Sequence, residues 1–247
     1  MRKVTNRKST TLILLALLCF LAFTPLQSSA ALVWSETFDE LNPEVWTTLL
    51  ACRLEDGALR GVDGDHISAV RAYRPSNVSV GTWKFDLTEF HNFGEELDIC
   101  KIYFIKPEES DYSSYYSLSL VHAGGEEGER YSYTLEKYIE GIPKVILDTH
   151  IGQAKPTMIG VLQQFAITRS ADGQMAVYLN SSLILHAVDT DISTSEYFGF
   201  YTWDDWAFDN VYVYDTIEIG GNAIPLVIGV ASVAVIVIAV IGIIRKR

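Results

Sequence analysis

Short runs in which apolar and polar residues alternate dominate the chain between residues 31 and 222. Residues 82–90 alternate most regularly, with Trp83, Phe85 and Leu87 on one face and polar side chains on the other. A period of two is typical of strands that bury one face, and helical periodicity is nearly absent from this segment. The pattern predicts an all-β domain.

Other stretches refine this prediction. Residues 97–105 are apolar on both faces, which predicts a strand buried between two layers. Asp172-Gly173 lies between the predicted strands 164–170 and 175–179 and supplies the positive φ that a hairpin turn needs. Roughly a dozen strands are available, which suits a sandwich of two sheets. The remaining predicted strands are residues 32–38, 53–59, 67–73, 115–121, 131–139, 143–147, 183–188, 197–201 and 207–214.

The beginning of the chain has the features of a secretory signal. A basic start precedes the apolar residues 11–23, and the small residues Ser28, Ser29 and Ala30 follow. We expect residues 1–30 to be a signal peptide that is cleaved after Ala30. An uncleaved anchor helix is the alternative.

The end of the chain has the features of a membrane span. Residues 223–244 carry no charge and, at about 1.5 Å per residue, reach about 33 Å, enough for a bilayer core. The basic residues 245–247 predict a cytoplasmic tip, which places the β domain (residues 31–219) outside the cell, after a short linker at 220–222. The sequence thus predicts a single-pass cell-membrane protein whose helix contacts the lipid bilayer. A glycosylphosphatidylinositol signal is the alternative.

Charge excludes one class of function. All 31 acidic residues but only 12 of the 19 basic ones lie between residues 31 and 222, which gives this segment a net charge of −19. Nucleic-acid binding depends on clustered Lys and Arg, so we expect no nucleic-acid partner.

If the chain is exported, four further residues become candidates for covalent modification. Cys52 and Cys100 are the cysteines of the exported segment, and they are either one disulfide or two free thiols. Asn77 and Asn180 each begin an Asn-x-Ser pattern, which makes them candidate glycosylation sites.

Several segments resemble known enzymes. Residues 32–39 (Leu-Val-Trp-Ser-Glu-Thr-Phe-Asp), with residues 41–47, resemble the opening strand of family 16 glycoside hydrolases, which include laminarinases and lichenases. Residues 55–59 and 207–214 resemble their second and closing strands, and the hairpin at 167–179 resembles laminin-G-like modules. All are concanavalin A-like lectin/glucanase folds, so the resemblance implies a two-sheet jelly roll over nearly the whole exported domain.

The catalytic motif of that family is incomplete here. Glu96 and Asp98 match two of its three acids, but Cys100 and Lys101 follow where the third is expected. Retaining hydrolysis needs two carboxyl groups about 5–5.5 Å apart. We therefore assign no catalytic residue. Strand alternation places Glu96, Asp98 and Cys100 on one face, either as the floor of a groove or by coincidence.

The resemblance also implies a structural Ca²⁺. Asp209, in the closing strand, would bind it together with the backbone carbonyl of Gly57. The alternative is that Asp209 only ends a turn.

A ligand patch is predicted from aromatic rings beside polar groups, the combination that sugars require. Such a patch occurs between two predicted strands. The alternative is that Trp206 packs in the core and Trp203 covers a loop. The patch comprises Tyr201, Trp203, Asp204, Asp205 and Trp206. Further candidates to line a sheet face are Tyr112, Tyr115, Tyr116, Tyr131 and Tyr133.

These observations favour a membrane-anchored, non-catalytic surface module that binds carbohydrate or a surface glycoprotein. One alternative is a structural or adhesive envelope protein. The other is a glycoside hydrolase that acts on β-glucan.

Overall fold

In a computed structural model of the chain, the described residues are 30–49, 52–61, 70–90, 97–110, 113–123, 130–153, 159–202 and 205–218. They form fifteen strands and, within these ranges, no helix. The predicted all-β class is therefore confirmed. In chain order the strands are β1 (Leu32–Glu36), β2 (Thr47–Leu49), β3 (Cys52–Glu55), β4 (Ala58–Gly61), β5 (Val70–Pro75), β6 (Gly81–Glu89), β7 (Leu97–Lys106), β8 (Tyr115–Ala123), β9 (Arg130–Ile139), β10 (Ile142–Gln153), β11 (Gln163–Arg169), β12 (Gln174–Leu179), β13 (Ser182–Val188), β14 (Tyr197–Thr202) and β15 (Trp206–Tyr214).

The strands form two sheets. The eight-stranded sheet has the order β13-β12-β11-β6-β15-β4-β3, with β1 also paired to β15. The seven-stranded sheet has the order β10-β9-β8-β7-β14-β5-β2. All pairings are antiparallel. Along these fifteen strands the chain passes from one sheet to the other eight times, for example between β5 and β6 and between β14 and β15, as expected for a two-sheet jelly roll.

The core lies between the two sheets. The Trp83 ring of β6 lies 5.4 Å from the Phe104 ring, and the Phe85 ring of the same strand lies 5.5 Å from the Phe165 ring, measured between ring centroids. Because Phe104 belongs to the seven-stranded sheet, this contact joins the two layers. The deep strand predicted at residues 97–105 is confirmed, since β7 is the middle strand of its sheet and is buried along most of its length.

Two local predictions differ from the structure. Residues 53–59, predicted as one strand, are split into β3 and β4 by a turn at Asp56 (φ 52°) and Gly57 (φ 76°). Two consecutive left-handed residues make the turn that joins short antiparallel strands, and Asp-Gly adopts it readily. The strand predicted at 143–147 extends over the whole of β10. The turn predicted at Asp172-Gly173 is present, with Gly173 at φ 81°.

The predicted targeting segments lie outside the described residues. These are the signal peptide (1–30, of which only Ala30 is described), the linker at 220–222, the span at 223–244 and the tip at 245–247. They stay predictions. Within the part of the chain that the structure describes, no helix has the length and hydrophobicity to cross a bilayer.

A buried polar cluster joins the two sheets near one end of the sandwich. Glu89 of β6 and His122 of β8 are both almost fully buried, and the His122 Nδ1 atom lies 2.8 Å from Glu89 Oε1. The Tyr131 hydroxyl donates to the other carboxylate oxygen of Glu89. The His122 ring stacks on Tyr131 with a centroid distance of 4.5 Å. One carboxylate therefore holds side chains from two strands of the opposite sheet.

Replacing Glu89 by Ala should destabilise the fold by about 3–5 kcal/mol, because it removes one partner of a buried polar pair. Urea denaturation of the variant measures this loss. Glu44→Ala is the matched control, since Glu44 is exposed and its removal should change stability by less than about 0.5 kcal/mol. Equal stabilities of the two variants would contradict a structural role for Glu89.

Candidate functional site

The outer side of the seven-stranded sheet carries a cluster of aromatic residues, which we call the tyrosine face. Alternate residues of each strand point to opposite sides, so that Ile102 and Phe104 of β7 enter the core while Tyr103 lies on the outer side. Residues on five strands follow the same parity. The tyrosine face contains Tyr73 (β5), Tyr103 (β7), Tyr115 (β8), Tyr138 (β9), and Tyr197 and Tyr201 (β14).

Strand register arranges this face in rows. In one row Tyr201 lies between Arg71 and Lys101. In the next row Gly199 lies between Tyr73 and Tyr103. Residues directly opposite each other on paired antiparallel strands share a face and lie about 4.5–5.5 Å apart. Residues far apart in sequence thus become one continuous surface.

The aromatic rings form a floor and a rim. Tyr73, Tyr103 and Tyr115 are buried, with ring centroids 6.0 Å apart for the first two and 4.9 Å apart for the last two. Tyr138, whose ring stacks on Tyr115 at 5.3 Å, and Tyr201 are only partly buried. The rim residues are therefore accessible to a ligand, whereas the floor residues support them.

Lys106 holds the floor together. Its ammonium group lies 5.3 Å from the ring centroid of Tyr103, 5.6 Å from that of Tyr73 and 5.7 Å from that of Tyr115. The same Nζ atom donates to the Ser110 carbonyl at 2.7 Å and to the Ser113 hydroxyl at 2.9 Å. A buried ammonium is attracted by the faces of aromatic rings, so Lys106 fixes the positions of all three.

Hydroxyl and charged groups lie beside the rings. Glu136 Oε2 accepts from Lys101 Nζ at 3.3 Å, and Oε1 accepts from Lys144 Nζ at 2.8 Å. The Thr134 and Thr149 hydroxyls are hydrogen-bonded to each other at 3.2 Å. Ser117 Oγ lies between Tyr103 and Glu136 in register and has no hydrogen-bond partner among the described residues, although it is fully buried.

The Tyr103 and Tyr115 hydroxyls of the floor stay protonated at neutral pH. Burial raises the pKa of Tyr115 to about 12, and the Glu136 carboxylate acts in the same direction. Burial also raises the pKa of Tyr103, and the neighbouring tyrosines raise it further. These two floor tyrosines therefore stay neutral across the physiological pH range and support the rim rings without adding charge to the face.

The structure separates the residues of the predicted ligand patch. Tyr201 lies on the tyrosine face. Trp206 opens β15 and is completely buried in the core, which is the alternative that the sequence also left open for it. Asp205 forms a two-point ion pair with Arg60, at 2.5 Å for each contact. Trp203 and Asp204 lie outside the described residues.

The predicted tyrosine surface is also only partly correct. Of that set, Tyr115 lies on the tyrosine face, whereas Tyr116, Tyr131 and Tyr133 point into the core and Tyr112 lies outside the described residues. Tyr116 differs from Tyr115 by one position, and one position reverses the face of a strand. Four members of the face were missed, since only sheet order brings them together: Tyr73, Tyr103, Tyr138 and Tyr197.

The incomplete acidic motif does not form a catalytic pair in the described part of the chain. Glu96 lies outside the described residues, and the backbone of Asp98 pairs with that of His122 at the start of β7. Cys100, the third position, is fully buried in the core rather than in a groove. Among the described side chains of the tyrosine face, Glu136 is the single carboxylate.

Of the two states that the sequence left open for the cysteines, the structure shows the one without a disulfide. Cys52 and Cys100 are free thiols. Cys52 Sγ, at the edge of the eight-stranded sheet, donates to the Arg71 carbonyl at 3.6 Å, whereas Cys100 points into the core from the opposite sheet. Burial raises the pKa of Cys52 to about 12, so this thiol is unreactive at neutral pH.

The two candidate glycosylation sites are exposed. Asn77 follows β5, and Asn180 lies in the turn between β12 and β13. The Asn180 Oδ1 atom accepts from the backbone of Gln164 at 3.0 Å. Glycosylation of either residue stays a prediction.

The predicted cation site contains a pair of carboxylates. Asp209 of β15 lies opposite Asp86 of β6, and the Asn210 side-chain amide donates to both at 3.0 Å. With Asp56, which precedes Gly57 in the turn, they line a cavity of about 190 Å³. No group of three possible metal-binding His, Cys, Asp or Glu side chains occurs among the described residues. Ca²⁺ takes six to eight oxygen ligands, so this donor set is incomplete, and the Ca²⁺ site stays a prediction.

Comparison with known proteins supports the fold. No family model and no curated protein matches the sequence. The structure is similar to the carbohydrate-binding module CBM66 from Bacillus subtilis, at 16% identity over 67% of this chain and 92% of that one, with a TM-score of 0.51. It is also similar to the Bacillus licheniformis β-glucanase (12% identity, 76% and 99% covered, TM-score 0.54). A third similar structure is the laminarinase catalytic domain of Thermotoga maritima (11% identity, 77% and 100% covered, TM-score 0.56).

These similarities confirm the concanavalin A-like jelly-roll sandwich that the sequence resemblance implied. At such low identities they establish the fold, and the function has to be argued from the site itself.

Replacing Gly199 by Ala should destabilise the fold by about 1–3 kcal/mol and displace Tyr73, because a Cβ atom there would lie 2.3 Å from the Tyr73 ring. Gly152→Ala is the matched control, since a Cβ at that strand position meets nothing within 4 Å. Thermal unfolding of both variants checks the prediction. A Gly199→Ala variant as stable as Gly152→Ala would show that the ring moves aside without cost.

Replacing Asp86 by Asn should stabilise the fold at pH 7 by about 0.2–1 kcal/mol, because it removes a like-charge pair across two strands. Burial raises the pKa of Asp86 and of Asp209 above the usual 3.8. For groups shifted upward, the stabilisation is complete below the unfolded pKa and is lost as the pH rises through the folded pKa. The advantage of the variant should therefore disappear below about pH 3.8.

Urea denaturation at pH 7 and pH 3 measures this difference. Asp172→Asn is the control. Hydrogen bonds from Ser170 and Gln174 lower the pKa of Asp172, so this replacement should lower the stability at pH 7 instead of raising it. A lower stability of Asp86→Asn at pH 7 would contradict the proposed repulsion.

Proposed function

We propose that this domain is a non-catalytic module that binds carbohydrate on the tyrosine face. The observation that carries the proposal is the arrangement of six tyrosines with hydroxyl, carboxylate and ammonium groups on one side of one sheet. The C–H edges of a sugar ring pack against aromatic faces, while its hydroxyls form hydrogen bonds with neighbouring polar groups. The tyrosine face offers both kinds of contact within a few ångströms.

Rigidity of the face favours binding. Lys106 holds the buried rings of the floor, and Gly199 leaves the space in which the Tyr73 ring lies. A site that is already ordered loses less conformational entropy when a ligand binds. The rim rings of Tyr138 and Tyr201 rest on this floor, so they need little rearrangement to contact a sugar.

The similar structures support the same class of ligand. One is a carbohydrate-binding module, and the other two are a β-glucanase and a laminarinase catalytic domain. The tyrosine face adds support from this chain's own residues.

The chemistry of the face favours binding over hydrolysis. Retaining hydrolysis needs a nucleophilic carboxylate and a second carboxyl group about 5–5.5 Å away. Glu136 is the single carboxylate among the described side chains of the face, and two lysines already contact it. One carboxylate cannot serve both as the nucleophile and as the general acid.

We further propose that this module lies at the outer surface of the cell. The signal-like residues 1–30 support export, and the uncharged segment 223–244 with the basic tip at 245–247 supports a single membrane anchor. A module held at the surface would meet carbohydrates of the surroundings or of neighbouring glycoproteins.

Replacing Tyr201 by Ala should weaken glycan binding about tenfold, because the variant loses a rim ring against which a sugar stacks. A glycan array of the full-length chain identifies the ligand, and isothermal titration calorimetry with that oligosaccharide measures the affinity. Tyr178→Ala is the matched control, since Tyr178 is a partly buried tyrosine of β12 in the other sheet and should leave the affinity unchanged.

Two results would contradict the proposal. Unchanged affinity of Tyr201→Ala would remove the tyrosine face from the binding site. Release of new reducing ends from the bound glycan by the full-length chain would show that the domain is an enzyme.

A further inference from the structure

The tyrosine face differs in charge from the rest of the domain. Residues 31–222 carry a net charge of −19, yet the tyrosine face contains four basic side chains and, among the described residues, a single acid. The basic residues are Arg71, Lys101, Lys106 and Lys144, and the acid is Glu136. Basic residues are scarce in this domain, so their concentration on one face points to a negatively charged ligand.

Two of the cations flank an accessible aromatic ring. Arg71 and Lys101 are the register neighbours of Tyr201 on either side. The Arg71 guanidinium lies 5.5 Å from the centroid of the Tyr201 ring. Neighbouring strands are about 4.8 Å apart, so each cation is within reach of a group attached to a sugar stacked on this ring.

Two of the cations of the face share its one described acid. Glu136 contacts both Lys101 at 3.3 Å and Lys144 at 2.8 Å, so two ammonium groups share one carboxylate. The Lys101 side chain is only 18% exposed. A partly buried cation is poorly screened by solvent, which strengthens its attraction for an anion placed next to it.

Hydroxyl groups in the same rows would bind the neutral part of the ligand. Ser119, Thr134 and Thr149 continue the row of Tyr201 and Lys101 across three further strands. In the adjacent row, the Ser117 hydroxyl is buried without a hydrogen-bond partner among the described residues. Ser117 is fully buried, so the hydroxyl of these rows that a ligand can reach is that of the exposed Thr149.

We propose that the tyrosine face binds an acidic glycan, in which sugar units carry carboxylate or sulfate groups. This inference rests on the proposed function and specifies its ligand class. Tyr201 stacks on a sugar ring, and Arg71 and Lys101 bind anionic groups on either side of that ring. Arginine suits this role, because its planar group donates two parallel hydrogen bonds to one carboxylate or sulfate.

Net charge distinguishes this recognition from general attraction of polyanions. A domain with a charge of −19 repels a polyanion at long range, so the cations of the face act only on an anion that is already held at the site. The sugar rings must supply that contact through the tyrosines. An acidic polymer without sugars should therefore bind weakly.

The test measures binding of the full-length chain to two matched pairs of polymers by isothermal titration calorimetry. Polygalacturonate is compared with its fully methyl-esterified, neutral form, and dextran sulfate is compared with dextran. Polyglutamate is the acidic polymer without sugars. We expect at least one acidic glycan to bind about tenfold or more tightly than its neutral counterpart, and the two pairs distinguish carboxylate from sulfate.

Variants then assign the preference to the tyrosine face. Arg71→Gln and Lys101→Gln should each lower the affinity for the acidic glycan about tenfold and leave that for its neutral counterpart unchanged. Arg53→Gln is the matched control, because Arg53 is an exposed arginine of β3 in the other sheet, paired with Glu55, and should have no effect. The polymer comparison on the unaltered chain needs no variant to fold.

The outcomes separate the two proposals. Equal affinity for the acidic and neutral members of both pairs would overturn the acidic-glycan inference and leave the proposed carbohydrate binding in place. Binding of polyglutamate as tight as that of the acidic glycans would also overturn it, because charge alone would then suffice. A neutral-glycan ligand found on the array, with no binding to the acidic polymers, would overturn it as well. Absence of binding to every glycan would overturn both proposals.

Discussion

The structure depends on a constraint that each strand of the seven-stranded sheet obeys. Because only one face of a sheet can pack against its partner, successive residues of a strand are divided between the core and the opposite side. In β7 this division places Ile102 and Phe104 in the core and Tyr103 on the outer face. The same parity in the neighbouring strands produces the tyrosine face, so the packing that stabilises the sandwich also determines the candidate ligand surface.

Two residues convert this surface into a defined site. Lys106 brings three tyrosine rings around one buried ammonium, and Gly199 leaves the room that the Tyr73 ring occupies. Neither residue needs to contact a ligand to matter, because both determine where the rings lie. The same sandwich is joined at one end by Glu89, whose contacts with His122 and Tyr131 connect the sheets. Glu89 therefore connects the two sheets, whereas Lys106 and Gly199 position the rings of one sheet.

Sequence patterns predicted what depends on local order. Alternation gave the all-β class and the buried strand β7, and Asp172-Gly173 gave a hairpin turn, because each of these is determined by a few consecutive residues. The site was only partly predictable. Tyr201 was identified, but Trp206, five residues later, is a core residue. The neighbours of Tyr201 on the tyrosine face come from strands far apart in sequence. They are adjacent because of the order of strands in the sheet, which the alternation of apolar and polar residues does not reveal.

The net charge of the domain and the local positions of its charged side chains likewise lead to different conclusions. The net charge of residues 31–222 argues against nucleic-acid binding, since it acts on a long polyanion over its whole length. A bound sugar, however, interacts with groups within about 8–10 Å, the distance beyond which salt screens a charge. Within that range of Tyr201 lie Arg71 and Lys101, its register neighbours. An acidic domain can thus present a basic face, because strand pairing and not net charge determines which groups surround Tyr201.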